Sequence, residues 1–332
     1  MSRVEKSTKN NKRKKKKSVG FKILIGFLCV ILAIGVVGGG YFIGLLNKME
    51  SVKLDNNDLG ISKDEFDKYE TSSKIKNIAL FGVDATDGES GRSDSIMIAT
   101  IDPVHNKLKI TSIMRDSYVN IAGHGMDKIN HAYAFGGPQL SIKTLNENFG
   151  LNIEDFATVN FSSLPVVINI LGGIDLDITA DELNYINSYV DDINVKDGTN
   201  SPRIAAPGMQ HVNGVQALAY SRIRYTSGGD YERTQRHRTV LTALFNKLAS
   251  TPVSSYNSIL NELLPYVQTS LSATDIVSLG TKVLSTGTNL EQERFPRDGF
   301  GEGANIDGVY YLTFDKDVTV NQIREYIFND KK

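Results

Sequence analysis

The chain has 332 residues, 40% of them hydrophobic, which is enough for one large folded domain or two medium ones. Its net charge of -1 conceals an uneven distribution: residues 1–22 hold ten Lys/Arg and one acid, leaving 27 basic against 37 acidic residues in the rest. That acidic bulk argues against nucleic acid as a partner, and a single cysteine, Cys29, excludes an intrachain disulfide.

From Ile23 to Asn47 there is no charged residue, and about 20 apolar residues suffice to cross a bilayer. The run Lys12-Arg13-Lys14-Lys15-Lys16-Lys17 precedes this stretch, so the positive-inside rule keeps the N-terminus in the cytoplasm. The expectation is a basic cytoplasmic tail at 1–22, one transmembrane helix at 23–47, and a type II single-pass topology with the remainder outside the cell. A cleaved signal peptide is the rival, but the apolar run is too long and no small-x-small site follows Leu46. The polar, mixed-charge residues 48–75 suggest an extracellular stalk.

Structured sequence is expected from Lys76. Ile78 to Val83 is a buried strand, Ser95 to Ile101 a second, and Lys107 to Met114 a third, the last two joined by a turn at Asp102-Pro103. Helical patterns follow at Pro138–Phe149, Ser162–Leu171, Asp181–Val190, Val215–Ser221 and Asp230–Leu248, interleaved with strands at Phe156–Phe161 and Ile174–Ile178. Thr251-Pro252 and Ser272-x-x-Asp275 resemble helix starts, and a helix from Val320 to Phe328 ends the chain. This alternation predicts an α/β fold, a single extracellular domain over 76–330 with a central mixed β-sheet flanked by helices.

Four clusters carry chemistry. Asp84 closes one strand and Asp94 opens the next across a Gly-rich loop, so antiparallel pairing brings both carboxylates to one sheet end, where a Mg²⁺ ion beside phosphate oxygens would fit. Taken singly, each is also an ordinary turn or cap aspartate. Arg115-Asp116 ends the third strand at the same sheet end. Arg222 and Arg224 share a face only if the chain is extended there. Arg233, Arg236 and His237 form one face of a helix that Asp230 would cap, although a basic helix face is often merely solvated. Together with Arg92, these arginines concentrate in an acidic domain. The planar fork of arginine grips phosphate bidentately, which points to a polyanionic phosphate ligand.

These residues resemble the LytR-CpsA-Psr family of bacterial cell-wall proteins. The strings that carry the resemblance include Gly82-Val83-Asp84, Arg92-Ser93-Asp94-Ser95-Ile96-Met97, Arg115-Asp116-x-Tyr118-Val119 and Lys128-Ile129-Asn130-His131-Ala132-Tyr133-Ala134-Phe135-Gly136-Gly137. They continue through Leu171-Gly172-Gly173-Ile174-Asp175 and Gly208-x-Gln210-His211-Val212-Asn213-Gly214 to Tyr220-x-Arg222-x-Arg224 and Gly229-Asp230 through Arg238. The resemblance implies a phosphotransferase of a Gram-positive cell membrane. It would take a glycopolymer, teichoic acid or capsule, from a polyprenyl pyrophosphate lipid and attach it to peptidoglycan through a phosphodiester. It further implies Asp84 and Asp94 as the pair that binds Mg²⁺ or Mn²⁺ and serves catalysis. Arg92, Arg115, Arg222, Arg224 and Arg233 are then the pyrophosphate-binding arginines, with Arg236 and His237 beside them and Asp230 in support, and the lipid tail lies in a hydrophobic tunnel. Glu232 and His237 depart from the family pattern, which has Gly and Gln at those places. A pyrophosphate hydrolase and a non-catalytic receptor for lipid pyrophosphates are the alternative readings.

Overall fold

The computed structural model describes residues 44–332 except 63, 65–68, 85–90, 161–162, 224–235, 237–238, 241–242, 245, 248–249, 253–254 and 287–289. The expected membrane span at 23–47 thus lies outside the described residues apart from its last turn. Among the described residues no helix is long and apolar enough to cross a membrane.

In chain order the strands and helices are β1 (Glu50–Ser51), β2 (Lys76–Asp84), β3 (Arg92–Asp102), β4 (Lys107–Ile113), β5 (Tyr118–Ile121), β6 (Gly125–Lys128), α1 (His131–Phe149), β7 (Asp155–Asn160), α2 (Leu164–Ile170) and β8 (Ile174–Ile178). They continue with α3 (Ala180–Asp197), β9 (Gly208–Val212), α4 (Gly214–Arg222), α5 (Tyr256–Leu263), β10 (Val267–Thr269), α6 (Ala273–Thr286), β11 (Leu290–Phe295), β12 (Gly301–Ile306), β13 (Val309–Phe314) and α7 (Lys316–Phe328). A seven-stranded sheet runs in the order β1-β10-β7-β2-β3-β4-β11. It is mixed, with β2 antiparallel to β3 and parallel to β7, and β4 parallel to β11. The fold is α/β, as expected.

Helices begin where side chains satisfy the first free backbone amides. Thr179 with Glu182 forms a complete capping box for α3, and Asn213 with Gln216 does so for α4. Ser272 and Asp275 exchange the same bonds at the start of α6. α1 begins earlier than its Pro138 suggests: the backbone leaves helical geometry at Gly136 and Gly137, and Pro138 opens the second stretch, where its missing amide costs nothing.

The core falls into three clusters. One face of the sheet (Ala79, Phe81, Ile96, Ile98) packs on α1 and α7. The other face (Ile78, Ala99, Ile101, Leu108, Ile110) packs on α6 and Leu264. A separate lobe is built from α2, α3, α4, β8 and β9 around Ile168, Ile174, Ile186 and Ala217.

The expected stalk at 48–75 is corrected by the structure. β1 joins the sheet edge, parallel to β10, and Leu59 and Ile75 are buried in the first core, with Val52, Leu54, Ile61 and Tyr69 packed against it. Leu45 and Leu46 are buried in the second core. Burial of such side chains stabilises by about 1.5–3 kcal/mol each, and these scattered apolar residues outweigh the polar composition that suggested a stalk.

At the sheet end opposite Asp84 and Asp94, Lys109 is fully buried and its ammonium bonds Asp102 at 2.7 Å and the Tyr326 and Ile327 carbonyls. Asp330 lies 3.2 Å from the same ammonium and also pairs with Lys107. This network fixes the end of α7 against β4. Lys109→Ala leaves Asp102 buried without its cation and is expected to cost about 3–5 kcal/mol, read as a fall in the urea midpoint. Partial burial opposes ionisation of Asp330, but hydrogen bonds and attraction from Lys107 and Lys109 prevail and hold its carboxyl below the ordinary 3.8. With the folded pKa depressed, the stabilisation is full above the ordinary value and is lost as pH falls through the folded one. The stability difference between wild type and Asp330→Asn therefore shrinks between about pH 7 and about pH 3, and a constant difference would contradict the assignment.

Candidate functional site

Antiparallel pairing of β2 and β3 sets Asp84 opposite Arg92, so both strands carry charge to one end of the sheet. Between Gly82–Ser95 and Val83–Ser93 the register slips by one residue, and the residue left over on β3 is Asp94. A β-bulge of this kind re-aims the extra side chain. The neighbouring register, Ile96 opposite Ile113, places Asp94 opposite Arg115 just beyond β4.

Asp94 is held on two sides. Its Oδ2 is 2.9 Å from the Arg115 guanidinium, and its Oδ1 accepts a 3.1 Å hydrogen bond from the Asn130 amide. The two side chains of the ion pair are 3% and 9% exposed. Asn130 also binds through its backbone, donating to the Arg115 carbonyl and accepting from the Ser93 amide. Arg115 lies 3.5 Å from Asp116, whose other oxygen is 3.0 Å from Lys128.

The β5–β6 hairpin therefore leaves the sheet at one holder of Asp94 and returns at the other. Sequence reasoning quoted Lys128 and Asn130 within a motif without giving either a role. The signal was an amide and a lysine directly before α1, and only the tertiary pairing reveals what they touch.

The remaining expected residues are placed as follows. Arg92 is exposed at the start of β3, and Arg222 is half-buried at the last position of α4. β7 ends at Asn160, which pairs with Val83, so the lobe bearing Arg222 departs from the same sheet end as Asp84. Arg224, Asp230, Arg233 and His237 lie outside the described residues. Arg236 departs from the expectation that it grips ligand phosphate. It is 5% exposed, and its guanidinium donates to Glu182 at 2.8 Å and to the Ile223 carbonyl at 3.1 Å. Glu182 is the residue that completes the capping box of α3, so Arg236 ties its own segment to that helix.

The sheet face in the second core changes character toward the site. Ile78, Ala99 and Ile110 make one row, Leu80, Met97 and Ser112 the next, and Gly82 and Ser95 the last before Asp94. An apolar floor thus leads to a charged end. Beside it, Ser112, Gln292, Arg294, Arg297 and Phe300 line an open cavity of about 660 Å³ at the β11 edge.

Among the described residues no three His, Cys, Asp or Glu side chains converge as a metal centre. The Asn130 Oδ1 is nevertheless buried without a hydrogen-bond partner beside Asp94, with Asp84 one strand away. The Asn130 and Asp94 oxygens are the kind taken by a hard divalent cation that completes its shell with water and phosphate.

Comparison with known proteins gives the family. A model of the LytR_cpsA_psr family matches residues 43–326. The chain belongs to that family. It is 31% identical over 315 residues to the polyisoprenyl-teichoic acid–peptidoglycan teichoic acid transferase TagU of Bacillus subtilis (strain 168), covering 93% of this chain and 94% of the relative. The TagU of Bacillus mycoides (strain KBAB4) is 30% identical, covering 87% and 92%. Among solved structures, TagT bound to LIIa-WTA superposes with a TM-score of 0.56 at 25% identity, covering 84% of this chain and 98% of that one. The same protein with bound octaprenyl pyrophosphate lipid gives 0.54 at 25% identity, covering 84% and 98%. The family match begins at residue 43, in keeping with the incorporation of 44–75 into the domain.

Asn130→Ala removes a hydrogen bond from a buried carboxylate and should cost about 1–3 kcal/mol in chemical denaturation. Asn130→Asp, which sets a second carboxylate beside Asp94, should cost more. Equal stability of all three proteins would show that Asn130 does not hold Asp94.

Proposed function

We propose that this chain is a transferase that moves a teichoic-acid-type glycopolymer from a polyprenyl pyrophosphate carrier to peptidoglycan, forming a phosphodiester. The observation that carries the reading is the buried Asp94–Arg115 pair at one end of a sheet whose second face is apolar. A polyprenyl pyrophosphate has the matching form, a long apolar tail ending in concentrated negative charge. The TagU relatives are named for this transfer, and a solved relative carries octaprenyl pyrophosphate.

The chemistry needs positioning and charge neutralisation more than covalent assistance. The acceptor hydroxyl attacks the phosphorus nearer the glycan, the bond from that phosphorus to the bridging oxygen breaks, and polyprenyl phosphate leaves. The hydroxyl proton passes to one of the two carboxylates, Asp84 or Asp94. Arg92, Arg115 and Arg222, with Arg224 and Arg233, neutralise charge on the pyrophosphate and on the leaving phosphate. A divalent cation, Mg²⁺ or Mn²⁺, held by Asp84, Asp94 and the Asn130 amide oxygen, would supply further neutralisation of phosphate charge. His237 and Asp230 support the arginine cluster.

The apolar stretch from Ile23 up to the folded Leu45 anchors the chain in the membrane of a Gram-positive cell with the domain outside, so donor and enzyme meet by diffusion in two dimensions. Because Leu45 and Leu46 are part of the folded domain, the anchor leads into it without a spacer.

The test is the full chain in detergent with polyprenyl-pyrophosphate-linked teichoic acid and peptidoglycan oligomers. Polymer attached to peptidoglycan is expected, lost on chelation and restored by Mg²⁺. Arg222→Ala and Asp94→Asn should each lower transfer about a hundredfold or more. Release of free polymer at an equal rate with and without oligomers would identify a hydrolase instead, and full transfer by both variants would remove the site assignment.

A further inference from the structure

Among the described residues, exposed aromatic side chains gather on the two small hairpins. β5–β6 is followed by the first turn of α1, and β12–β13 is joined to it by a bridge between Ser117 and Leu312 and by the Leu312 amide bonding the Asp116 carbonyl at 2.8 Å. His124 stacks on Phe135 with ring centroids 4.2 Å apart and planes 9° apart, and Tyr118 meets Tyr311 at 4.6 Å. Lys128 lies over both Tyr310 and Tyr311. Tyr310 is 51% and Phe135 44% exposed, which is more than a core or a hairpin contact requires of either ring.

We propose that these hairpins form the subsite for the acceptor, a neutral polymer of N-acetylated amino sugars. The proposal rests on the transferase reading for the name acceptor, and on the following chemistry for the ligand. A pyranose has an apolar face of C–H bonds and a rim of hydroxyl and amide groups. It is matched by aromatic faces interleaved with hydrogen-bonding side chains.

The strip supplies that alternation. Between the Phe135 and Tyr311 rings lie His131 and Asp127, 2.7 Å apart, with the Tyr311 hydroxyl 3.5 Å from Asp127. Although partial burial opposes it, bonds from His131 and the Lys128 amide keep the Asp127 carboxyl ionised and accepting below its ordinary range. Beside Tyr118 a cavity of about 200 Å³ is lined by Asn120, Met126, Asn148, Thr313 and Lys316, a mixture of amides, a hydroxyl and apolar surface. Within the strip Lys128 is paired with Asp116, and Asp127 is hydrogen-bonded to His131. A platform of rings and carboxylates suits an uncharged glycan and offers little to the polyanionic donor.

The platform is also continuous with the reacting end of the sheet. Lys128 touches Asp116, Asp116 touches Arg115, and Arg115 touches Asp94. A sugar seated on the hairpins thus presents its hydroxyls toward the carboxylate that the hairpin base holds.

The experiment measures binding of tetra-N-acetylchitotetraose to the full chain in detergent micelles by saturation-transfer NMR and calorimetry, with octaprenyl pyrophosphate binding measured in parallel. The Tyr310→Ala/Phe135→Ala double variant should bind the sugar about tenfold or more weakly, with octaprenyl pyrophosphate binding unchanged. Tyr310→Phe, which keeps the ring face, should bind it as wild type does. No binding by wild type, or equal binding by the double variant, would overturn the subsite. If the sugar binds and the double variant weakens it while wild type ignores octaprenyl pyrophosphate, the subsite stands and the transferase reading falls.

Discussion

The ion pair between Asp94 and Arg115 is the constraint around which this end of the molecule is arranged. Two charges almost withdrawn from water are tolerated only if their remaining bonding capacity is met. The Asn130 amide and the Asp116 carboxylate meet part of it here. Each of these partners brings a piece of chain to a fixed place. Arg115 lies at the exit of β4, and Asn130 at the return of the β5–β6 hairpin and the entry to α1. The bulge at Asp94 breaks the β2–β3 ladder just where the β3–β4 register brings Asp94 opposite Arg115.

The two ends of the sheet use buried charge for different purposes. At the far end Lys109 is closed in by Asp102, Asp330 and two carbonyls, so its capacity is filled by protein and the result is a fastening for α7. At the near end the Asn130 oxygen and the Ser93 and Ser117 hydroxyls are buried without partners among the described residues. The same contrast separates two arginines that look alike in sequence: Arg236 is spent on Glu182 and a carbonyl, while Arg92 is exposed at the strand start beside Asp84.

Much of this was legible before any coordinates. Continuous apolar runs located β2 and β3, helical patterns located α3 and α4, a capping pair located α6, and charge at strand ends located Asp84, Asp94 and Arg115. What escaped depended on distant partners. β1 has two residues and pairs with β10, which has three, and neither has a pattern long enough to read. Residues 52–75 are polar in composition, yet Leu59 and Ile75 land in the core, since burial depends on position in space and not on local average. The inward turn of Arg236 was hidden because helical spacing gives a shared face but not what that face meets. Asn130 was hidden because an amide has no charge signature, although its backbone and side chain together touch Arg115, Ser93 and Asp94.

The junction with the apolar N-terminal stretch alters how the site can be presented to a membrane. A polar stalk would leave the height and tilt of the domain free. Here Leu45 and Leu46 are buried against the sheet face, and β1, only a few residues later, is hydrogen-bonded into its edge. β1 runs parallel to β10, which is antiparallel to β7, and Glu50 aligns through Gln268 and Thr158 with Phe81. The chain therefore enters the sheet from the end at which β2 delivers Asp84. Entry point and reacting end lie on the same side of one rigid sheet, only three strands apart. If the proposed function holds, a lipid carrier whose phosphates stay at the bilayer surface is met by such a site without extraction over a long distance. The spacing is then set by the fold itself, through a strand of two residues whose pairing ties the start of the domain to its sheet.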